Sequence, residues 1–152
     1  MPAKHQVPGF GSKLAEFNLR IGRSRIERYG VFAGEAIPPR KRVIQYTGER
    51  IGEREALRRA MKQLWAGKAG RIYTVRLNRR WKLDGSVGGS GAELINHSCD
   101  PNLTIRRVRG QIFLYSFRKI STGEELTLDY GFRCSCLCHC GSSKCRGTMC
   151  HI

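Results

Sequence analysis

Leu94-Ile95-Asn96-His97-Ser98-Cys99-Asp100-Pro101-Asn102 is the most informative stretch of this sequence, and Cys138-x-Cys140-x4-Cys145 near the C-terminus complements it. The first stretch places an amide, an imidazole and a thiol close together. The second supplies three closely spaced thiols, whereas a structural zinc ion usually takes four ligands. We therefore expect Cys99 to be the fourth ligand and to hold the C-terminal segment against the Asn-His stretch.

The length of the chain, 152 residues, is typical of one domain with a substantial core. Hydrophobic residues make up 40% of it, yet no uninterrupted apolar run approaches the length of about 18 residues that spans a membrane. The N-terminus also lacks the pattern of a secretory signal. These features favour a globular intracellular protein without membrane contact. The seven cysteines, four of them at alternate positions 134–140, suit metal binding better than a disulfide framework.

The charge of the chain is strongly positive, with 28 Lys and Arg against 12 Asp and Glu and a net charge of +16. Such a surface attracts polyanions with an affinity that falls as salt rises. The basic residues are spread along the sequence, and aromatic residues are not regularly interleaved with them as a platform for stacking single-stranded bases would prefer. The charge therefore predicts unspecific contact with nucleic acid, and it is also compatible with an ordinary solvated surface.

Short apolar runs bounded by Gly, Pro and Asn predict a mainly β fold. The predicted strands are 31–33, 43–46, 72–77, 103–105, 112–115 and 126–128. Residues 52–66 carry apolar side chains at spacings of three and four and form the one predicted amphipathic helix. The glycine-rich segment 85–91 lacks the Gly-Lys-Ser/Thr ending of a phosphate-binding loop. Its glycines instead predict a tight turn or a close backbone approach.

Two stretches together resemble the SET domain of protein-lysine methyltransferases. They are Asn96-His97-Ser98-Cys99-Asp100-Pro101-Asn102 and Glu124-Glu125-Leu126-Thr127-Leu128-Asp129-Tyr130-Gly131-Phe132. Further segments agree with that family in their order, namely Tyr29-Gly30-Val31-Phe32-Ala33, Tyr46-Thr47-Gly48-Glu49 and Ile72-Tyr73-Thr74-Val75. The segment Cys138-x-Cys140-Gly141-x3-Cys145-Arg146 is similar to the post-SET zinc motif.

The resemblance covers roughly residues 18–149 and implies a mainly β fold of the β-clip or SET type. It implies small curved sheets, one amphipathic helix, a C-terminal segment threaded beneath the loop with the Asn-His motif, and a C-terminal zinc site. The expected organisation is a flexible N-terminal arm at 1–17, a SET domain at 18–133 and a post-SET zinc-binding segment at 134–152.

The activity that the resemblance implies is transfer of a methyl group from S-adenosylmethionine to a lysine side chain. A free lysine with a pKa of about 10.4 is mostly protonated at neutral pH, and its deprotonation costs roughly 4.6 kcal/mol. A dry channel beside a sulfonium cation lowers that pKa, so no strong base is needed next to the amine. By resemblance, Tyr130 has the principal catalytic role, Tyr46 supports it, and Tyr73 also lines the lysine channel.

The same resemblance assigns the cofactor contacts. The amide and backbone groups of Asn96 and His97 suit adenine and the amino-acid end of the cofactor. Main-chain groups near Tyr29 are expected at the methionine portion, and His139 at the adenine. The complete set of expected cofactor-binding residues is Glu27, Arg28, Tyr29, Gly30, Tyr73, Asn96, His97, Tyr130 and His139.

The metal site implied by the resemblance is one structural Zn²⁺ held by Cys99, Cys138, Cys140 and Cys145. A closed set of thiolates leaves no coordination position for water, which is typical of a structural site. The motif gives no role to Cys134, Cys136 and Cys150, and a shifted register that uses Cys134 and Cys136 is the alternative. Gly141, directly after Cys140, favours the first register.

The sequence departs from the family pattern at three positions. Arg28 stands where many members have glycine, and Glu93 stands where a basic residue often precedes the Asn-His motif. Leu128 replaces the Phe or Tyr that usually lies two residues before the final tyrosine, a position associated with the number of methyl groups added. Because Leu has no hydroxyl to hold a water in the methyl space, we expect the enzyme to reach di- or trimethyllysine.

The expected substrate is a lysine-containing protein, either a histone or another protein associated with chromatin or nucleic acid, with DNA contacted by the basic surface. Glu49, Glu53, Asp84 and Asp100 are candidates for an acidic groove that would dock a basic substrate. The expected location is intracellular: the nucleus or chromosome in a eukaryotic or host cell, and the cytoplasm in a bacterium.

An alternative function is a catalytically idle, zinc-stabilised basic domain that binds nucleic acid. The retained tyrosines and the Asn-His pair favour the enzyme, because a binding module does not need them. Methylation of a small molecule would require a wider pocket than a tyrosine-lined channel provides.

Overall fold

The computed structural model describes residues 14–67, 72–131 and 136–149, and most of its regular structure consists of short strands. The elements are β1 (Leu19–Arg23), β2 (Tyr29–Ala33), β3 (Arg42–Tyr46), β4 (Glu49–Gly52), α1 (Glu53–Trp65), β5 (Thr74–Arg76), β6 (Trp81–Asp84), a 3₁₀ helix (Ala92–Leu94), β7 (Asn96–His97), β8 (Leu103–Val108), β9 (Gln111–Ser116) and β10 (Thr127–Leu128). Each predicted apolar run overlaps one of these strands, which confirms the mainly β fold.

The strands form small sheets. β1 pairs with β2, β4-β6-β5 form a second sheet, and the largest sheet has the order β3-β9-β8-β10-β7. The apolar pattern missed β1, β4, β6 and β7. β1 and β4 carry arginine and glycine, β6 carries lysine and aspartate, and β7 has only two residues, so none of them shows an apolar run.

The C-terminal part of the chain is threaded, as the resemblance implies. β10 lies between β7 and β8, which are consecutive in sequence, and it runs parallel to both. The loop that joins β7 to β8 therefore crosses over β10. Asn102 in this loop is 1% exposed. Its side chain accepts a hydrogen bond from the Thr127 amide at 2.8 Å and donates one to the Glu125 carbonyl at 2.8 Å.

The core is built on strict alternation in β9. Ile112, Leu114 and Ser116 point inward and are almost completely buried, while Phe113 and Tyr115 point to the opposite face. Burying an Ile or Leu side chain contributes about 1.5–3 kcal/mol. β9 is an internal strand of the largest sheet, so Ile112 and Leu114 connect β3 and β8 in one apolar layer.

Helix α1 begins and ends within one residue of the predicted bounds, but its apolar stripe does not enter the core. Ala56 is buried, whereas Leu57, Leu64 and Trp65 are 60%, 42% and 83% exposed. Polar contacts bring the helix to its sheet instead. Arg59 forms ion pairs with Glu49 of β4 at 2.8 Å and with Asp84 of β6 at 2.7 Å.

The described end of the N-terminal arm is joined to β3. The Glu16 amide donates a hydrogen bond to the Val43 carbonyl at 2.9 Å, and Gln45 donates to the Leu14 carbonyl at 2.8 Å. The expected domain boundary at residue 18 stays a prediction, and the boundary between 133 and 134 lies outside the described residues. Within the described ranges, no helix has the length and apolar character needed to cross a membrane.

Candidate active site and metal centre

Asn96 lies at the centre of a buried polar network. β7 holds it opposite Thr127 of β10, and its side chain is only 6% exposed. Its amide nitrogen lies 2.9 Å from the Tyr29 carbonyl oxygen, 2.8 Å from Glu125 Oε1 and 3.1 Å from Ser24 Oγ. The Ser24 hydroxyl lies 2.8 and 2.9 Å from the two Glu125 oxygens. Asn96 thus joins the segment before β2 to the segment before β10.

Sequence reasoning missed the roles of Ser24 and Glu125. Glu125 stands in a quoted motif beside Glu124, and the sequence does not show which carboxylate turns inward. The structure separates them: Glu124 forms an ion pair with Arg118 at 2.6 Å, whereas Glu125 contacts Ser24 and Asn96. No pattern in the sequence marks Ser24 as a partner of either residue.

Gly30 is required by the close packing of this network. A Cβ atom at this position would lie 2.2 Å from Glu125 Oε1 and 3.1 Å from Asn96 Nδ2, so any side chain would displace the carboxylate. The neighbouring residues Glu27, Arg28 and Tyr29 are exposed, and the Arg28 guanidinium lies 6.0 Å from the centre of the Tyr29 ring. The predicted cofactor-binding segment therefore has exposed side chains, and its backbone contacts Asn96 through the Tyr29 carbonyl.

His97 links the polar network to the C-terminal cysteines. It is 3% exposed, and its Nδ1 accepts a hydrogen bond from the Tyr130 amide at 3.1 Å. In a neutral imidazole the other nitrogen then carries the proton. That nitrogen, Nε2, lies 3.5 Å from Cys99 Sγ, so His97 is placed to donate to a sulfur of the cysteine cluster.

The three predicted tyrosines come together around the end of β7. The Tyr130 hydroxyl donates to the Ile95 carbonyl at 2.6 Å, and the Tyr46 hydroxyl donates to the Tyr73 carbonyl. Burial raises the pKa of Tyr46 above the ordinary value, and the neighbouring Tyr130 raises it further. Burial also raises the pKa of Tyr130, and the neighbouring Tyr73 adds to that rise. The hydroxyls of Tyr46 and Tyr130 are therefore protonated at neutral pH and act as orienting groups, not as bases.

Leu128 lies within this framework. It is 7% exposed and pairs with His97 in the register of β10 and β7. Its side chain contains no polar group that could hold a water molecule.

The glycine-rich segment packs against Tyr46, which is the kind of close approach that its glycines predict. A Cβ atom at Gly85 would lie 2.8 Å from the Tyr46 hydroxyl oxygen and 2.6 Å from the Cβ of Glu93. Glu93 accepts a hydrogen bond from the Gly91 amide at 2.9 Å, and burial raises the pKa of its carboxyl group. Glu93, at one of the departures from the family pattern, thus helps to hold the segment beside Tyr46.

The four predicted metal ligands form one cluster. The sulfur atoms of Cys99, Cys138, Cys140 and Cys145 all lie within 4.8 Å of one another, and those of Cys99 and Cys138 are 3.6 Å apart. Sulfurs bound to tetrahedral zinc at about 2.3 Å are about 3.8 Å apart. The donor set and its spacing therefore fit a structural zinc site, as the sequence predicted.

The alternative register is not supported at Cys136, because a disulfide-bonded sulfur is not available as a thiolate ligand. Cys134 and Cys150 lie outside the described residues. The segment that carries the ligands is closed by antiparallel contacts. Cys138 donates its amide to the Gly147 carbonyl at 3.1 Å, and Met149 donates to the Cys136 carbonyl at 2.9 Å.

Charged side chains attach the cysteine segment to the rest of the fold. Arg146 contacts both oxygens of Asp129, at 2.9 and 3.2 Å, and Lys144 contacts Asp100 at 3.3 Å. Burial by itself raises the pKa of Cys140, but backbone amides of Cys99 and Ser142 and the neighbouring thiols lower it to about 6. At least one ligand is therefore readily available as a thiolate, the form that binds zinc.

Two expectations concern residues near these elements. His139 is exposed between two of the ligands, and its contact with the adenine stays a prediction. The candidate acidic groove does not present free carboxylates, since each of its members has a basic partner. Glu49 and Asp84 share Arg59, Glu53 contacts Lys82, and Asp100 contacts Lys144.

Comparison with known proteins places these features in a family context. A family model described as the SET domain matches residues 28–131. Proteins named histone-lysine N-methyltransferase, H3 lysine-4 specific, are similar in sequence. The one from Saccharomyces cerevisiae is 36% identical over 143 residues, which is 86% of this chain and 13% of that protein. The one from Schizosaccharomyces pombe is 38% identical over 159 residues, covering 98% and 17% respectively. The chain spans less than a fifth of the length of these relatives.

Proposed function

The chain belongs to the SET domain family, and we propose that it is an S-adenosylmethionine-dependent protein-lysine N-methyltransferase. The observation that carries the proposal is the convergence of Tyr46, Tyr73 and Tyr130 beside the buried pair Asn96 and His97. The names of the fungal relatives support a histone as the substrate. Another protein associated with chromatin or nucleic acid is the second candidate substrate.

In this proposal the cofactor supplies the methyl group on a sulfonium sulfur. Asn96 and His97 would hold it, together with the backbone from Glu27 to Gly30, and Tyr73, Tyr130 and His139 would complete its pocket. Asn96 can do so because Glu125 and Ser24 fix the plane of its amide. Gly30 leaves the backbone of β2 free of side-chain obstruction at this point.

The tyrosines then act on the lysine amine. Their rings exclude water, which favours the neutral amine over the ammonium form. The hydroxyls of Tyr46 and Tyr130 remain protonated, and each directs its hydrogen at a backbone carbonyl. The lone pairs of the two oxygens are therefore left to accept hydrogen bonds from the amine and orient it. The cofactor would supply the methyl group, whose bond to sulfur breaks as its bond to the amine nitrogen forms, so that the sulfonium leaves as a neutral thioether. The methylated nitrogen then carries the positive charge and releases its proton to solvent before any further methylation.

Leu128 supports a product with two or three methyl groups. A hydroxyl at this position would hold a water where an added methyl must fit, and a buried Leu removes that option. Mass spectrometry of the product at saturation should show di- or trimethyllysine. A reaction that stops at monomethyllysine would remove this part of the proposal.

The four clustered cysteines, Cys99, Cys138, Cys140 and Cys145, would hold one structural Zn²⁺. A closed thiolate set has no position for water or substrate, so the ion would order the C-terminal segment and take no part in the reaction. We also propose that the basic surface contacts DNA beside a chromatin substrate. The corresponding location is the nucleus or chromosome in a eukaryotic or host cell, and the cytoplasm in a bacterium.

The test uses zinc-loaded protein, cofactor with a labelled methyl group, and histone H3. Label should enter a lysine of H3, and Tyr130→Phe should lower kcat by about 10²-fold or more, because an orienting group is lost. Trp65→Leu, which removes an exposed aromatic side chain of α1 outside the site, is the matched control. Absence of labelling on H3 and on a panel of nucleic-acid-binding proteins would contradict the proposal.

The net charge of +16 favours one other function, a non-catalytic domain that binds nucleic acid. It predicts no measurable cofactor binding in calorimetry, together with DNA binding that Tyr130→Phe and His97→Ala leave unchanged.

A further inference from the structure

The outward face of the largest sheet carries a row of aromatic side chains. Phe113 and Tyr115 alternate with the buried residues of β9, and Phe117 follows directly after the strand. Phe117 is 70% exposed, and the other two are partly exposed. Alternate residues of a strand lie about 6.5–7 Å apart. The row therefore presents successive rings along one line of an internal strand.

Arginines from both neighbouring strands lie over these rings. The Arg106 guanidinium of β8 is 4.5 Å from the centre of the Tyr115 ring, and that of Arg42 in β3 is 5.0 Å from the centre of the Phe113 ring. A guanidinium stacked on an aromatic ring offers both a flat face and a positive charge. The sheet thus combines stacking surfaces with cations. The sequence does not show this arrangement, because the arginines and the rings lie on different strands.

Additional cations surround the row. Arg40 and Lys41 lie beside the end of β9, since Arg40 donates its amide to the Ser116 carbonyl at 2.8 Å and Ser116 donates to Lys41 at 2.9 Å. Arg109 lies in the turn between β8 and β9, at the other end. Within the described parts of the chain, none of these three side chains forms an ion pair, whereas Arg42 pairs with Glu16.

We propose that this face, defined by Arg42, Arg106, Phe113, Tyr115 and Phe117, binds single-stranded nucleic acid. Unpaired bases stack on aromatic rings and guanidinium planes, while the phosphates between them bind the surrounding cations. A duplex keeps its bases stacked on each other and cannot use the rings. An acidic protein would satisfy the cations but has no chemical need for a regular row of flat surfaces. Tyr46 projects from the inward face of the same sheet, so the surface is separate from the proposed active site.

The first test measures the fluorescence anisotropy of labelled oligothymidylate of about 12 nucleotides, with a duplex of the same length as the comparison. The intact protein should bind the single strand more tightly, with an affinity that falls as salt rises. The double variant Phe113→Leu/Tyr115→Leu should weaken single-strand binding about tenfold or more and change duplex binding little. Trp65→Leu, which removes an exposed ring from α1, is the matched control and should leave both affinities unchanged.

A second test needs no substitution and therefore does not depend on how the variant folds. Oligonucleotide containing bromodeoxyuridine is photo-crosslinked to the intact protein, which is then digested with trypsin. Cleavage after Arg109 and Arg118 releases residues 110–118, a peptide that contains all three aromatic residues. Crosslinks should concentrate in this peptide. Crosslinks found only elsewhere, or equal binding of single strand and duplex with no effect of the double variant, would overturn the proposal.

Discussion

The Asn96 region and the cysteine segment lie against each other but are stabilised in different ways. Asn96, His97 and Leu128 are buried between paired strands, whereas Cys138 is the one buried residue in 136–149 and Leu137 is 70% exposed. The first region is held by apolar burial and backbone pairing. The second has little apolar surface to bury and depends on its four thiols, a few ion pairs and the disulfide of Cys136. We therefore expect the two regions to respond separately to metal removal, except where they touch.

Zinc removal should give the largest effect and separate the regions most clearly. Metal binding contributes on the order of 10 kcal/mol to the folding of a segment that carries four thiolate ligands. Treatment with a strong chelator should therefore abolish hydrogen-exchange protection in residues 136–149. Amides of β8 and β9 should keep theirs. Loss of protection in both regions at once would show that the SET region also needs the metal to fold.

Asn102→Ala should give the next largest effect, a loss of stability in the region around Asn96. It removes the two side-chain hydrogen bonds to the backbone of the threaded segment and a third to Glu124, and it leaves the Thr127 amide and the Glu125 carbonyl buried without that partner. We expect the free energy of unfolding to fall by about 2–4 kcal/mol. Denaturant titration of zinc-loaded protein measures it, with the exposed amide Gln111→Ala as a control that should change stability by about 0.5 kcal/mol at most.

Glu125→Gln tests the network that fixes Asn96. The substitution removes a charged acceptor shared by Ser24 and Asn96 and should weaken cofactor binding about tenfold, the cost of a charge-assisted hydrogen bond. Calorimetry of cofactor binding provides the measurement. Glu124→Gln removes the same charge one residue away, where the partner is Arg118, and should change cofactor affinity little. Equal effects of the two variants would indicate loss of net charge alone.

Arg146→Gln should give the smallest effect, because the guanidinium is at the surface and exposed ion pairs contribute little. Burial alone would raise the pKa of Asp129, but hydrogen bonds from Arg146 and the Gly131 amide lower it below 3.8. A lowered folded pKa stabilises the fold above the ordinary pKa, and the contribution is lost as the pH falls through the lower value. The variant should therefore unfold with a weaker dependence on pH below about 4. Circular dichroism measures unfolding as the pH is lowered. The same pH dependence in the variant and the unaltered protein would contradict this role of Arg146.

The sequence predicted the parts of the site that lie in short motifs. Asn96 and His97 could be proposed because they lie in a short motif that resembles one family, and Cys138, Cys140 and Cys145 because their close spacing suits a metal that needs Cys99 as its fourth ligand. Ser24 and Glu125 could not, since 101 residues separate them and only the threaded fold brings them together. The aromatic row was missed for the same reason: Arg42, Arg106 and Tyr115 meet across three strands. The stripe on α1 shows the converse, because spacing predicted the helix but not that Leu57 and Trp65 would face solvent.

The central claim is that the two regions are coupled through His97 and Cys99, whose Nε2 and Sγ atoms are 3.5 Å apart. Cys99→Ser tests it most directly, with zinc content and cofactor affinity measured on the same purified protein and circular dichroism as the check on folding. We predict that the variant loses zinc and also binds S-adenosylmethionine more weakly. A folded, zinc-free Cys99→Ser protein with the cofactor affinity of the unaltered chain would contradict the claim.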